Sequence, residues 1–174
     1  MRSRCITWQF KGEIDADAFS GTPGYEAVRV LLAIASFTPQ MEVITGDFSV
    51  AFMHTPLKEH DRVYVEPPRE LEPDHNKVWY LKKALNGLKE ASLRFQQFLF
   101  EILTQKLDFV QSVACPTLLF NKNSGVRIVV HVDDPLSTGT NQEASKLFET
   151  LGQWLTDRKS TRLNSSHSSV SRMP

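Results

Sequence analysis

Residues 126–140 read VRIVVHVDDPLSTGT, and the fold class turns on how that stretch divides. Val126 to Val132 is an apolar run rich in β-branched residues, which marks a strand. Val132-Asp133-Asp134 ends the run, and Leu136 to Thr140 can return as another strand, which leaves an acidic pair at a strand tip. Just upstream, Thr117 to Phe120 is a second apolar run. The five residues between the two runs, Asn121-Lys122-Asn123-Ser124-Gly125, are turn formers, so the runs read as a hairpin. On this local evidence Asp133 and Asp134 also fit ordinary turn residues, because Asp side chains bond readily to nearby backbone.

Helices and further strands extend outward from this centre. Gln142 to Leu155 follows as a helix. From Lys89 to Leu107 the spacing of Phe95, Phe98, Leu99, Ile102 and Leu103 is helical, the clearest amphipathic pattern in the chain. Tyr25 to Phe37 is a third helix with Val28, Leu31, Leu32 and Ala35 on one face; Pro23 sits near its start and Pro39 stops it. Met41 to Asp47, Arg62 to Glu66 and Val78 to Leu81 read as strands, with Pro67-Pro68 ending the middle one. Mixed strands and helices over 174 residues with 41% hydrophobic and 23% charged side chains describe one globular domain with a self-sufficient core.

Composition excludes several classes. The longest apolar run, Val30 to Ala35, is far short of the roughly 20 residues that span a bilayer, so no membrane partner is expected. No signal-peptide pattern opens the chain. Two cysteines, Cys5 and Cys115, are too few for a disulfide framework, which favours a reducing intracellular compartment. The 20 basic and 20 acidic side chains balance, but unevenly along the chain. Residues 157–174 hold four basic groups and one acid, which leaves 16 basic and 19 acidic on residues 1–156. A body with net charge −3 argues against a strong general field for nucleic acid. The Ser- and Arg-rich tail 157–174 lacks the apolar residues to order itself. Its back-translation from Asp157 to His167 reads as a common sequencing-library adapter, so residues 1–156 are taken as the domain and 157–174 as a disordered, adapter-derived tail.

Asp47 gives the acidic pair its chemical meaning. It closes the strand Met41 to Asp47, and Phe48-Ser49-Val50-Ala51-Phe52-Met53 follows. Two strand-end carboxylate sites that are neighbours in a sheet can bind hard divalent cations through oxygen. Two such ions about 3.5–4 Å apart stabilise both attacking and leaving oxygens in phosphoryl transfer. Without a cation, neighbouring carboxylates repel.

These residues carry a resemblance. GTPGYEAVRVLLAIASF, GDFSVAFMHTPL, RVYVEPPRE, VWYLKKALNGLKEASLRFQQF, FVQSVACPTLLF and VVHVDDPLSTG resemble, in order and spacing, six blocks of the reverse transcriptase of copia-type LTR retrotransposons. The resemblance implies an α/β (α+β) fold, a polymerase palm and fingers with an antiparallel sheet and helices on one face, truncated before the thumb. It implies RNA-directed DNA polymerisation by two-metal nucleotidyl transfer. Asp47, Asp133 and Asp134 would be the catalytic, metal-binding triad, with the backbone carbonyl of Phe48 as a further metal ligand. Phe52 would pack against the sugar of the incoming nucleotide, with plain core packing as its ordinary reading. Asn86, Gly87 and Lys89 would flank the nucleotide, and Arg2 and Arg4 would contact its triphosphate. Cofactors would be two Mg²⁺ ions, with Mn²⁺ as a substitute. Partners would be an RNA or DNA template with primer and deoxynucleotide triphosphates, the rest of the Pol polyprotein being absent. The intact element would work in the cytoplasm, in a virus-like particle or in the nucleus.

Four positions depart from the family pattern. His131 stands where the family has Tyr, Pro135 where it has Met, Asn86 where it has Tyr, and Cys115 where it has Asp. They point to an inactive fragment or decayed copy as the expected state of this chain. A non-catalytic domain with at most nucleic-acid binding is the alternative, and an unrelated α/β domain with turn aspartates is a third reading.

Overall fold

The structure, a computed structural model, describes residues 6–7, 20–58, 63–72 and 76–155. Arg2, Arg4, Cys5 and the tail 157–174 lie outside the described residues. The chain runs α1 (Tyr25–Phe37), β1 (Met41–Thr45), a single 3-10 turn (Ala51–His54), β2 (Tyr64–Val65), β3 (Trp79–Tyr80), α2 (Ala91–Lys106), β4 (Phe109–Gln111), β5 (Leu118–Asn121), β6 (Arg127–His131), β7 (Asp134–Thr140) and α3 (Asn141–Leu155). Strands β1, β7, β6, β5 and β4 form one sheet in that order, and every neighbouring pair is antiparallel. A separate ribbon pairs β2 with β3, with the Tyr64 and Tyr80 rings 5.4 Å apart.

β6 shows why the sheet needs cover on both sides. Its central residues Ile128, Val129 and Val130 are all buried, and side chains alternate across a strand. Ile128 and Val130 join Phe95, Leu99, Ile102 and Leu103 of α2 and Leu147, Leu151 and Leu155 of α3 in the main core. Val129 points the other way, into a second cluster with Ala27 and Leu31 of α1 and with Leu118 and Leu136 beside them. The expectation of helices on one face is thus corrected: α2 and α3 cover one face and α1 covers the other. The physical reason is an apolar strip across three strands: Val129 pairs with Leu118 on one side and Leu136 on the other, and α1 covers that strip with Ala27 and Leu31, although Arg127 and His131 flank Val129 along β6.

Individual elements sharpen or correct the sequence reading. α2 buries Phe95, Leu99, Ile102 and Leu103 and half-buries Phe98, as its periodicity requires, and its start carries an i,i+4 Glu90–Arg94 ion pair. In α1, Leu31 is buried and Val28 is half-buried, but Leu32 is 42% exposed. β4 falls within a stretch assigned no element above. Three residues at a sheet edge give too short an alternation to be legible.

Candidate functional site

The β6–β7 hairpin closes with His131 opposite Asp134, so Val132 and Asp133 form a two-residue loop. Val132 has φ 52°, a left-handed conformation that is a true outlier for a β-branched residue. Strain of this kind persists only where the surroundings impose it, and it gathers at functional sites. Asp133 is half-buried and Asp134 exposed. Pro135 is fully buried inside β7 and pairs with Val130. It suits the extended backbone of a strand, and its one missing donor falls on the β1 side.

β1 reaches this tip from the other side. Its register runs Met41↔Thr140 to Thr45↔Leu136, and two further bonds continue it beyond the strand. Gly46 N–H donates to Pro135 O at 3.0 Å, and Phe48 N–H donates to Asp133 O at 3.0 Å. Asp47 lies between those two bonds and therefore opposite Asp134, 87 positions away in sequence. In a non-hydrogen-bonded antiparallel pair the Cα atoms are about 4.5 Å apart, and like charges placed there repel. By the same alternation, His131, Asp134 and Asp47 form a row on the α1 face of the sheet, while Gly46 and Pro135 face α2 and α3. The ladder thus unites two acidic segments that are distant in the chain.

The family model for reverse transcriptase (RNA-dependent DNA polymerase) matches residues 1–154. This chain belongs to the reverse transcriptase family. It is also 27% identical over 139 residues to the retrovirus-related Pol polyprotein from transposon TNT 1-94 of Nicotiana tabacum, an alignment covering 77% of this chain and 10% of that protein. The chain is thus a reverse transcriptase domain related to copia-type Pol polyproteins, and it spans about a tenth of that relative's length.

Within this reverse transcriptase domain the remaining residues of interest are placed as follows. Phe48 is 3% exposed, and its ring packs edge-on against Phe95 at 5.8 Å. The Phe48 carbonyl accepts Ala51 N–H at 3.2 Å, which leaves one lone pair. Phe52 is half-buried in the 3-10 turn and also meets Phe95 edge-on, at 6.2 Å, so part of its surface serves the core. The turn before it carries a second β-branched residue at positive φ, Val50 at 51°.

Asn86 and Gly87 are used by the protein itself. Thr7 donates to Asn86 O from both its N–H, at 2.8 Å, and its hydroxyl, at 3.0 Å. Gly87 has φ 97°, and a Cβ there would collide with the carbonyl of Thr7. The close approach that requires glycine is therefore to the chain's own backbone. Lys89 is exposed. The hard oxygen donors of Asp47, Asp133, Asp134 and the Phe48 carbonyl suit Mg²⁺ by type. Among the described residues, however, no three His, Cys, Asp or Glu side chains are grouped to hold one ion, and no helix is long and apolar enough to cross a membrane.

Proposed function

We propose that this domain is the palm, with part of the fingers, of an RNA-directed DNA polymerase, and that Asp47, Asp133 and Asp134 form its catalytic centre. The observation that carries the reading is the pair of backbone bonds from Gly46 and Phe48, which bring Asp47 beside the acidic hairpin. Asp47 and Asp134 would share the work of binding Mg²⁺, or Mn²⁺ in its place, with Asp133 from the loop. When bound, the cations supply a lowered pKa at the primer 3′-hydroxyl and neutralise charge on the α-phosphate of the deoxynucleotide. The protein's part is to hold three carboxylates at one sheet end and keep them from moving. Phe52 would border the sugar, and Lys89, with Arg2 and Arg4, would meet the phosphates. Template and primer would lie across the tip.

The 174-residue chain by itself is proposed not to sustain synthesis. A body of net charge −3 captures a phosphate backbone poorly. The test joins residues 1–155 to the downstream region of an active copia-type element and measures RNA-templated primer extension with Mg²⁺ or Mn²⁺. Extension that Asp133→Asn abolishes supports the reading; extension that survives Asp133→Asn overturns the assignment of the centre.

A second reading, a decayed non-catalytic copy, is favoured by one observation: the three carboxylates sit at one end of the sheet without grouping as a ligand set. It predicts no extension even in the joined protein. Residues 157–174 are read as adapter-derived, which genomic sequence across Thr156 tests: an unrelated continuation supports it, and the same tail contradicts it.

A further inference from the structure

We infer that Phe148 of α3 is a positioning residue for the acidic site: its ring fills the space beneath Gly46 and holds the end of β1, and with it Asp47, against the hairpin. The inference deepens the function proposed above and rests on it for the importance of Asp47. Three observations carry it.

The backbone tie between β1 and the hairpin is thin at this end. In a hydrogen-bonded antiparallel pair both residues exchange N–H···O bonds. Gly46 donates to Pro135 O, but Pro135 has no N–H to return. Two residues on, Phe48 donates to Asp133 O, while its own carbonyl turns to Ala51 N–H. Beyond Ile44 the strand end therefore hangs on single bonds.

Support from below replaces what the ladder lacks. A Cβ built on Gly46 would lie 2.7 Å from Phe148 Cε1 and 3.2 Å from its Cδ1. The ring already occupies the place of a side chain at position 46. It cannot yield easily, because Phe148 is only 6% exposed and packs with Ile44 and Ala144. Gly46 lies on the α3 face, with Asp47 next to it on the opposite face. The ring thus sets the height of the backbone from which the Asp47 carboxylate projects.

Amide hydrogen exchange on the full 174-residue chain tests this without any metal. The Phe48 amide reports the bond to Asp133 O, and the Val129 amide in the middle of the sheet reports global opening. Gly46→Ala should speed exchange at Phe48 by about ten-fold relative to Val129, and Phe148→Leu should act in the same direction. The double variant Gly46→Ala/Phe148→Leu should recover most of the protection, because the shorter side chain makes room for the methyl group. Gly139→Ala is the control at the other end of β7, where a Cβ would lie 2.9 Å from Val126 Cγ2; it should affect both amides alike. Equal changes at Phe48 and Val129 in Phe148→Leu and in the double variant would overturn the inference and leave Phe148 as core alone. These two variants decide the matter even where Gly46→Ala does not fold. Failure of the underlying function shows separately, as Mn²⁺ binding that Asp47→Asn leaves unchanged.

Discussion

The two ends of the five-stranded sheet close with tight turns built on opposite terms. At the β5–β6 end, Asn121 accepts from Asn123 N–H at 2.8 Å and Ser124 N–H at 2.9 Å, and donates to Leu107 O at 2.6 Å. The left-handed position there is Gly125, at φ 71°. At the β6–β7 end the left-handed position is Val132, and Asp134 faces Asp47 across the ladder. One turn satisfies its own backbone with residues suited to the geometry; the other sets a strained valine beside like charges. Local stability accounts for the first turn and not for the second. A stretch that departs from local preference in both conformation and charge is where function is expected.

Substitutions at the two ends should therefore differ in sign. Asn121→Ala removes three hydrogen bonds from a residue that is 8% exposed and should cost about 2–3 kcal/mol in chemical denaturation. That is roughly 4–12 °C of melting temperature for a domain of this size. Asp134→Asn should do the reverse and raise stability by up to about 1 kcal/mol at low salt, because it removes a like charge opposite Asp47. A loss of stability there would mean that the carboxylate serves the fold.

Exchanging the left-handed residues gives a second, smaller contrast. Gly125→Ala meets nothing within 4 Å, so its cost should be conformational alone, about 1 kcal/mol. Val132→Gly should gain up to about 1 kcal/mol as strain is released. If both variants lose stability, the comparison between the turns fails. Smallest of all is Pro135→Met. The restored N–H can bond Gly46 O for about 0.5–1 kcal/mol, partly offset by the freer unfolded chain. Thermal denaturation should show a shift near zero, and faster exchange at Phe48 would contradict the account of the missing donor.

The sequence made one end of the sheet legible and the other only in part. Asn, Ser and Gly between two apolar runs announce the β5–β6 turn through local chemistry. The β6–β7 tip was equally visible as Val132-Asp133-Asp134, and Asp47 as a strand-end acid, but nothing local showed that the two meet. Pairing of β1 with β7 is a contact across nearly a hundred residues, and only the resemblance to the reverse transcriptase blocks suggested it. The second covered face is not written in β6, whose α1 side reads Arg127, Val129 and His131; it arises from Leu118, Val129 and Leu136 aligned across three strands, a register that no local pattern encodes. Gly87 illustrates the converse: a glycine expected beside a nucleotide is required by Thr7, a contact that no local pattern encodes. Gly46 had no signal in the sequence, since its need arises from a ring 102 residues later in α3.

The central claim is that Asp47 and the Asp133-Asp134 hairpin form one cation-binding centre. Paramagnetic broadening of backbone amides during a Mn²⁺ titration tests it most directly. Amides of Asp47 and Phe48 should broaden together with those of Val132, Asp133 and Asp134, at the same low Mn²⁺ concentration, and Asp47→Asn should weaken the effect at the hairpin as well as at β1. Broadening confined to one of the two segments, or appearing first at Glu66 to Glu72 or around Glu143, would contradict a shared centre.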